Sequence, residues 1–285
     1  MTAGSFVKTA LRRLAPSLAE RIRSWRIRRY SEGAFGALRA DVRREAFADS
    51  APRVLGGPFA GLLYLDEPVW GSIAPKWVGS YEEELHGIVV DEILRTESRT
   101  VVDVGAAEGY YAVGIAWKRP DVTVHAFDID PLARDQQKRL ARLNGVSNLH
   151  VHAECAPEEL ERLLKDGGVV ICDVEGFEYA LLDPVRIPSL RVCDVLTELH
   201  PAGERSADEV RDALRERFEA THRITTLDAT PREPERYREC VGPTFPQSLL
   251  TEAVGEHRPA SQQWLWMEAQ ARPAGVAPPA EAAAS

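Results

Sequence analysis

The sequence has few cysteines and no long apolar run. Its four cysteines lack Cys-x-x-Cys spacing, so they fit neither a zinc motif nor a disulfide framework and are expected to be reduced thiols. No apolar run approaches the ~20 residues that cross a bilayer. The basic N-terminus also lacks the apolar segment of a secretory signal. These absences predict a cytoplasmic protein without a transmembrane segment.

Charge is divided unevenly along the 285 residues. Residues 1–54 carry 12 Lys and Arg against 5 Asp and Glu, whereas the whole chain has a net charge of −9. The remainder is therefore strongly acidic. Because phosphate contacts need clustered Lys and Arg, the acidic main body argues against nucleic acid as the substrate.

The most informative stretch joins a strand, a glycine-rich turn and a helix. A β-branched run at residues 100–104 precedes Gly105 and Gly109, and a helical pattern opens at Tyr110. The spacing is Asp-x-Gly-x-x-x-Gly, with Asp103 inside the strand end, whereas dinucleotide sites have Gly-x-Gly-x-x-Gly. A carboxylate there repels a diphosphate and attracts a cationic amino-acid group. An ordinary glycine-rich turn is the alternative.

A second predicted strand also ends at an acid. Alternation at residues 122–126 leads to Asp128, which stands 25 residues after Asp103. A carboxylate in that place can accept hydrogen bonds from both hydroxyls of a ribose. Asp130 is then expected to cap the next helix, with Pro131 at its first position.

Two further segments are expected to border a nucleoside ligand. A third strand at residues 148–152 leads to Glu154 and Cys155, which would flank an adenine. A helix is predicted over residues 80–95, with its first serine as the N-cap. Tyr81, at the start of that helix, is expected within reach of the ligand.

Three acids follow the fourth predicted strand, in a stretch that reads Asp173-Val-Glu-Gly-Phe-Glu178. The carboxyl end of a strand faces the ligand crevice in such sheets, so these acids are expected there. Close carboxylates repel one another unless a cation lies near them. A sulfonium ligand, a substrate amine or a divalent metal would supply that charge, and helix-end dipoles alone are the alternative.

A fifth predicted strand, residues 192–200, ends at His200 beside the strand of Asp173. A histidine in the crevice could act as a general base, since its pKa lies near working pH. A purely structural hydrogen bond is the alternative.

The N-terminal segment predicts a helix over residues 5–30, interrupted at Pro16, with one apolar and one arginine-rich face. We favour a cap helix packed on the main domain over a helix that binds a membrane surface or an anionic substrate. Residues 31–80 show a mixed pattern, and residues 228–260 predict a loop with one short helix.

Seven strands are predicted, and the first five alternate with helices. The last two, at residues 221–227 and 263–268, are expected to pair antiparallel. This order predicts an α/β fold with a doubly wound, Rossmann-like seven-stranded sheet and an N-terminal helical extension. The predicted parts are the extension (1–80), the main domain (81–270) and a disordered tail (271–285).

The chain resembles the FkbM-type family of class I S-adenosylmethionine-dependent methyltransferases. The resemblance is carried by residues 103–111, 127–128, 143–145, 173–178 and 198–200. It implies the class I methyltransferase fold and transfer of a methyl group from S-adenosyl-L-methionine to an oxygen of a sugar or another secondary metabolite. The candidate cofactor-binding residues are then Tyr81, Asp103, Gly105, Ala106, Gly109, Tyr110, Asp128, Ile129, Glu154, Cys155 and Asp173.

Methyl transfer is an in-line displacement in which the enzyme mainly aligns the reactants. A hydroxyl nucleophile also needs a proton acceptor, for which His200 is the first candidate and Glu175 or Glu178 the second. Alternatively, Asp173 and a nearby acid could hold a divalent cation that lowers the hydroxyl pKa.

The sequence leaves two alternative functions and the oligomeric state open. A catalytically silent binding module is one alternative function. A nicotinamide-dependent oxidoreductase is another, but the third glycine of its motif is missing. The N-terminal helices are also candidates for a homodimer contact.

Overall fold

The computed structural model describes residues 16–258 and 261–271, with side chains from residue 29 onward. The predicted helix before Pro16, the arginine side chains up to residue 28 and the predicted tail after residue 271 lie outside the described residues. Within the part that is described, no helix has both the length and the apolar character that a bilayer crossing requires.

Seven strands form one sheet. They are β1 Thr100–Val104, β2 Thr123–Phe127, β3 Leu149–His152, β4 Val169–Cys172, β5 Asp194–Glu198, β6 His222–Asp228 and β7 Gln263–Ala269. Their order across the sheet is β3-β2-β1-β4-β5-β7-β6. The first five strands are parallel, and β7 runs antiparallel to both β5 and β6. The predicted doubly wound, Rossmann-like sheet is therefore confirmed.

Helices connect and flank these strands. The described α-helices are α1 Pro16–Phe47, α2 Ala74–Val78, α3 Tyr110–Lys118, α4 Pro131–Leu143, α5 Pro157–Leu164, α6 Glu178–Leu181, α7 Ala207–Phe218, α8 Arg238–Val241 and α9 Gln247–Ala253. As predicted, Asp130 caps α4, because its carboxylate accepts a hydrogen bond from the amide of Leu132 at 2.9 Å.

The central strands bury both of their faces, which explains their β-branched composition. Successive strand residues point to opposite faces of a sheet. Val101 packs in one core with α3 and with residues 54–78, whereas Val102 packs in a second core with α5 and α7. Residues 54–78 therefore form part of the same core as the sheet.

The N-terminal helix is longer than predicted, since α1 continues through residues 31–47, where the sequence indicated a mixed pattern. The continuation carries an apolar face that includes Val42 and Phe47, both buried. This face packs against α2, α4 and α9. Tertiary burial thus compensates for the glycines that weaken the local helical signal.

The predicted helix over residues 80–95 is also wrong in its form. The chain makes a short 3₁₀ turn, Glu83–Leu85, and then a π-helical turn, Ile88–Ile93. Ser80 is not an N-cap, because its buried hydroxyl donates a hydrogen bond to the carbonyl of Val254 at 3.1 Å. Contacts with a distant segment replace the local cap. Between residues 228 and 260 the chain forms a 3₁₀ turn and α8 in addition to the predicted short helix, which is α9.

The sheet register brings three strand ends to one edge. Val104 at the end of β1 pairs with Cys172 of β4, and Cys172 pairs with Thr197 of β5. The residues that follow these positions, including Asp173 and His200, therefore meet at the carboxyl edge of the sheet.

A tight contact of α3 in the first core offers a test of the fold. A Cβ atom on Gly114 of α3 would lie 2.6 Å from the ring of Phe59. Alanine has a higher helix propensity than glycine, but here its methyl group would overpack the contact with Phe59. We expect the overpacking to dominate, so that Gly114→Ala lowers the free energy of unfolding by about 1–2 kcal/mol. Urea denaturation measures this change.

The matched control is Gly33→Ala in α1, where an added Cβ atom meets no described atom within 4 Å. It should raise the free energy of unfolding by about 0.5–1 kcal/mol. Equal effects of the two substitutions would contradict the described packing of α3.

Candidate active site

The glycine-rich turn after β1 is built against the end of β4. Gly105 has φ +88°, and a Cβ atom there would lie 1.6 Å from the carbonyl oxygen of Asp173. Gly109 has φ +100° and stands directly before α3. Left-handed backbone is accessible to glycine at little cost. The predicted turn therefore forms. Because Gly105 has no side chain, the turn can pack directly against the backbone of Asp173, the first residue of the acidic stretch.

Asp128 ties the end of β2 to this turn. Its two carboxylate oxygens accept hydrogen bonds from the amides of Ala107, at 2.9 Å, and Asp130, at 2.7 Å. Ile129 beside it exposes 55% of its surface despite being apolar. The acid proposed for the ribose and an exposed apolar side chain thus stand together at the mouth of the turn.

The two residues expected to flank an adenine have different environments. Glu154 is exposed, whereas Cys155 is buried in the second core. Burial raises the pKa of the Cys155 thiol to about 12, so this group stays neutral. Cys155 therefore packs within the second core and offers no reactive thiolate.

A cleft lies between the turn and residues 76–82. Its lining residues are Lys76, Tyr81, Glu82, Asp103, Gly105, Ala106, Ala107, Glu108, Tyr110, Tyr111, Ile171, Asp173 and Trp264. The predicted residues Tyr81, Asp103, Gly105, Ala106, Tyr110 and Asp173 are therefore brought together. Gly109, Asp128, Ile129, Glu154 and Cys155 do not line this cleft.

Buried acids dominate the floor of the cleft. Asp103 is almost fully buried in β1, and burial together with the charge of Asp173 raises its pKa to about 8. Burial also raises the pKa of Asp173. A bound cation would favour the ionised form of both groups. The cleft is therefore suited to a positively charged ligand.

Lys76 is a cleft residue that sequence reasoning missed. This buried lysine donates a hydrogen bond to Glu108, which also accepts one from the Tyr64 hydroxyl at 2.7 Å. The Lys76 ammonium group lies 4.5 Å from the centre of the Tyr81 ring. Lys76 lies in the stretch 31–80, whose sequence shows only a mixed pattern, so no local pattern indicated its role.

Arg258 is a cation that pairs with several buried glutamates near the cleft. It forms ion pairs with Glu82 at 2.6 Å, Glu198 at 3.1 Å and Glu256 at 3.2 Å, and it donates a hydrogen bond to the Tyr81 hydroxyl at 2.8 Å. These three glutamates are buried. Tyr81 is thus held in place by Arg258. The pKa of the Tyr81 hydroxyl is raised well above the usual value, mainly by burial and next by the negative charge of Glu82.

His200 lies among carboxylates just beyond β5. Its Nδ1 atom is 2.9 Å from Oε1 of Glu178, and its Nε2 atom is 3.6 Å from Oε2 of Glu175. Burial alone would lower the pKa of His200, but the hydrogen bond with Glu178 and the surrounding negative charges raise it overall. The structure therefore brings His200, Glu175 and Asp173 together, as the sequence predicted.

Glu178 holds this group in place. Its side chain is fully buried, and it accepts hydrogen bonds from the amides of Val174, at 3.0 Å, and Gly176, at 2.9 Å. With His200 as a third partner, this carboxylate is occupied by the protein itself. Glu178 is therefore placed to orient the loop and the imidazole, whereas Glu175 remains exposed.

Comparisons with known proteins gave matches among solved structures only. No protein-family model and no curated protein matches the chain. Among solved structures, the ribosomal protein L11 methylase from Lactobacillus delbrueckii subsp. bulgaricus has 14% identity and a TM-score of 0.42, over 70% of this chain and 81% of that one. The O-methyltransferase TomG from Streptomyces achromogenes, in complex with SAM, has 13% identity and a TM-score of 0.40, over 60% and 73%.

An rRNA methylase from Streptococcus thermophilus has 10% identity and a TM-score of 0.42, over 66% of this chain and 98% of that one. Identities this low do not identify a substrate.

The raised pKa of Asp103 yields a test of the cleft. Between about pH 4 and pH 8 the carboxyl of Asp103 holds a proton in the folded state that it has lost in the unfolded state, so the contribution of this group to the free energy of unfolding without ligand should fall as pH rises through that range. Asp103→Asn should remove part of this fall. We expect it to gain about 1–3 kcal/mol relative to wild type between pH 5.5 and pH 8, measured by urea denaturation.

Asp166→Asn is the matched control, because it removes the same charge at a turn where the side chain is 86% exposed. If both variants show the same pH dependence relative to wild type, the buried carboxyl of Asp103 is not its source.

Proposed function

We propose that the protein is an S-adenosylmethionine-dependent methyltransferase that acts on a hydroxyl group of a small molecule. The observation that carries the proposal is the pair of acids at neighbouring strand ends. Asp103 lies buried in the cleft at the end of β1. Asp128, at the end of β2, accepts a hydrogen bond at 2.9 Å from the amide of Ala107, which lies in the glycine-rich turn after β1. This combination suits a ligand with a cationic amino-acid end and a ribose.

The charges of the cleft support a zwitterionic methionine group. In this proposal Asp103 faces the ammonium group, and Lys76, the one cation among the described lining residues, faces the carboxylate. Asp173 lies where a sulfonium charge would be favourable, since its carboxylate also lines the cleft. Tyr81 and Tyr110 supply aromatic walls.

The nucleoside would extend away from the cleft toward β2. Asp128 accepts from the ribose hydroxyls, because one carboxylate can accept several hydrogen bonds. Ile129 offers its exposed apolar surface to the adenine. Glu154 and Cys155 border that end of the site.

The acceptor is proposed to bind at Asp173, Glu175 and His200. These residues follow β4 and β5, and Asp173 belongs both to this group and to the cleft. The oxygen nucleophile and the sulfonium methyl can therefore be aligned at one carboxylate, which is the main task of the protein in an in-line displacement. The hydroxyl proton must also be removed or its pKa lowered.

The acidic surroundings support a small-molecule acceptor over a nucleic acid, because phosphate groups would meet carboxylates. The FkbM-type resemblance supports O-methylation in secondary metabolism. A cytoplasmic location, the three-part division of the chain and a homodimer through the N-terminal helices stay predictions.

Isothermal titration of the full chain with S-adenosylhomocysteine, and in parallel with NADH, tests the cofactor. We expect micromolar binding of S-adenosylhomocysteine, binding at least about tenfold weaker in Asp128→Ala, and no binding of NADH. Loss of hydrogen bonds to a charged acceptor accounts for that weakening.

Asp135→Ala is the matched control, since Asp135 lies shortly after Asp128, in α4, and its side chain is 60% exposed. It should bind S-adenosylhomocysteine as the wild type does. Binding of NADH in place of S-adenosylhomocysteine, or no binding of either, would remove the methyltransferase proposal.

A further inference from the structure

The acceptor side of the site contains a mixed set of metal-binding donors. Asp173, Glu175 and His200 each offer one donor atom, and the three atoms lie within 4.8 Å of one another. Ligands on opposite sides of a cation bound at about 2.1 Å are about 4.2 Å apart. A slight contraction of the two loops would therefore suffice to enclose an ion.

The imidazole of His200 is already oriented for such a role. The fully buried carboxylate of Glu178 lies 2.9 Å from Nδ1. Metal-binding histidines commonly donate one ring N–H to a carboxylate, which fixes the ring and leaves the other nitrogen for the ion. The remaining nitrogen, Nε2, faces Glu175 at 3.6 Å and the buried Glu198 at 3.9 Å.

Asp173 presents an unsatisfied atom beside the same imidazole, on its Nδ1 side. Its Oδ1 atom is buried and has no hydrogen-bond partner among the described residues, and it lies 4.0 Å from Nδ1 of His200. The loop amides at Val174 and Gly176 donate to Glu178 instead. These amides therefore do not donate hydrogen bonds to the carboxylates of Asp173 and Glu175.

Gly176 allows the two loops to meet. It has φ +98°, and a Cβ atom there would lie 2.5 Å from the carbonyl oxygen of Pro201. A side chain at this position would push the loop of Glu175 away from that of His200. In this stretch Asp173 and Glu175 thus supply two donors, and Gly176 allows the close contact between the loops. Glu178 is the acid that orients the imidazole.

We propose that Asp173, Glu175 and His200 bind a divalent cation, with Glu178 as the residue that positions His200. Two carboxylates and one imidazole form a donor set suited to Mn²⁺ or a similar first-row ion rather than to Ca²⁺, which prefers oxygen ligands alone. Binding of the ion does not depend on the proposed function, but its role in catalysis rests on it.

In that role the cation lowers the pKa of the acceptor hydroxyl. The hydroxyl proton leaves to water, and the oxygen attacks the methyl carbon. The carbon–sulfur bond breaks with its electron pair going to sulfur, which yields a methyl ether and S-adenosylhomocysteine. His200 then acts as a ligand, and no side chain needs to serve as the base.

Titration of the full chain with MnCl₂, without cofactor, tests the site. Calorimetry should show one Mn²⁺ per chain, with affinity at least about tenfold lower in Asp173→Asn and in Glu175→Gln. The exposed position of Glu175, at 68% of its side chain, makes loss of folding an unsuitable explanation for that variant. Glu204→Gln, an exposed acid in the loop after β5, should bind Mn²⁺ as wild type does.

Pulsed electron paramagnetic resonance of bound Mn²⁺ gives a direct signature of the ligand set. We expect the modulation of a directly bound imidazole nitrogen in wild type and in Glu175→Gln, and its loss in His200→Gln. A wild-type chain that does not bind Mn²⁺, or bound Mn²⁺ without the nitrogen signature, would overturn the proposal.

The outcome is separable from that of the cofactor experiment. S-adenosylhomocysteine binding without Mn²⁺ binding would overturn the metal site and leave the methyltransferase proposal intact. Mn²⁺ binding without S-adenosylhomocysteine binding would confirm the site and overturn the cofactor proposal.

Discussion

Crowding of carboxylates at the carboxyl edge of the sheet is the constraint on which the rest of the structure depends. Parallel β1, β4 and β5 end side by side, and each contributes an acid or leads to one, at Asp103, Asp173 and Glu198. Burial of like charges is unfavourable unless they are paired, protonated or bound to a cation. Each acid at this edge is therefore expected to be paired, protonated or bound to a cation, and the residues around it differ accordingly.

Pairing within the chain covers only part of this group. Arg258 neutralises Glu82, Glu198 and Glu256 on one side, and Lys76 neutralises Glu108 on the other. Between them, Asp103 retains a raised pKa, because it is buried and lies near the charge of Asp173. An ion pair inside the fold is present with or without a ligand, whereas an acid left for a ligand makes stability depend on that ligand.

Local patterns predicted those parts of the site that stand next to strands and turns. The spacing of Gly105 from Asp103 and the place of Asp128 after β2 follow from short segments, and so does His200 after β5. The glutamates at 82–84 show why other parts were missed. Their run is typical of the start of a helix, yet each pairs with a different arginine far along the chain: Glu82 with Arg258, Glu83 with Arg236 and Glu84 with Arg232. Periodicity does not identify partners that only tertiary structure brings together.

We propose that the cleft binds a cationic cofactor. Calorimetric titration with S-adenosylmethionine at pH 7, in two buffers of different ionisation enthalpy, tests it most directly. A cation beside Asp103 should favour the carboxylate, so we predict a net release of about 0.5 to 1 proton for each molecule bound. Binding without proton release, or no binding at all, would contradict the account.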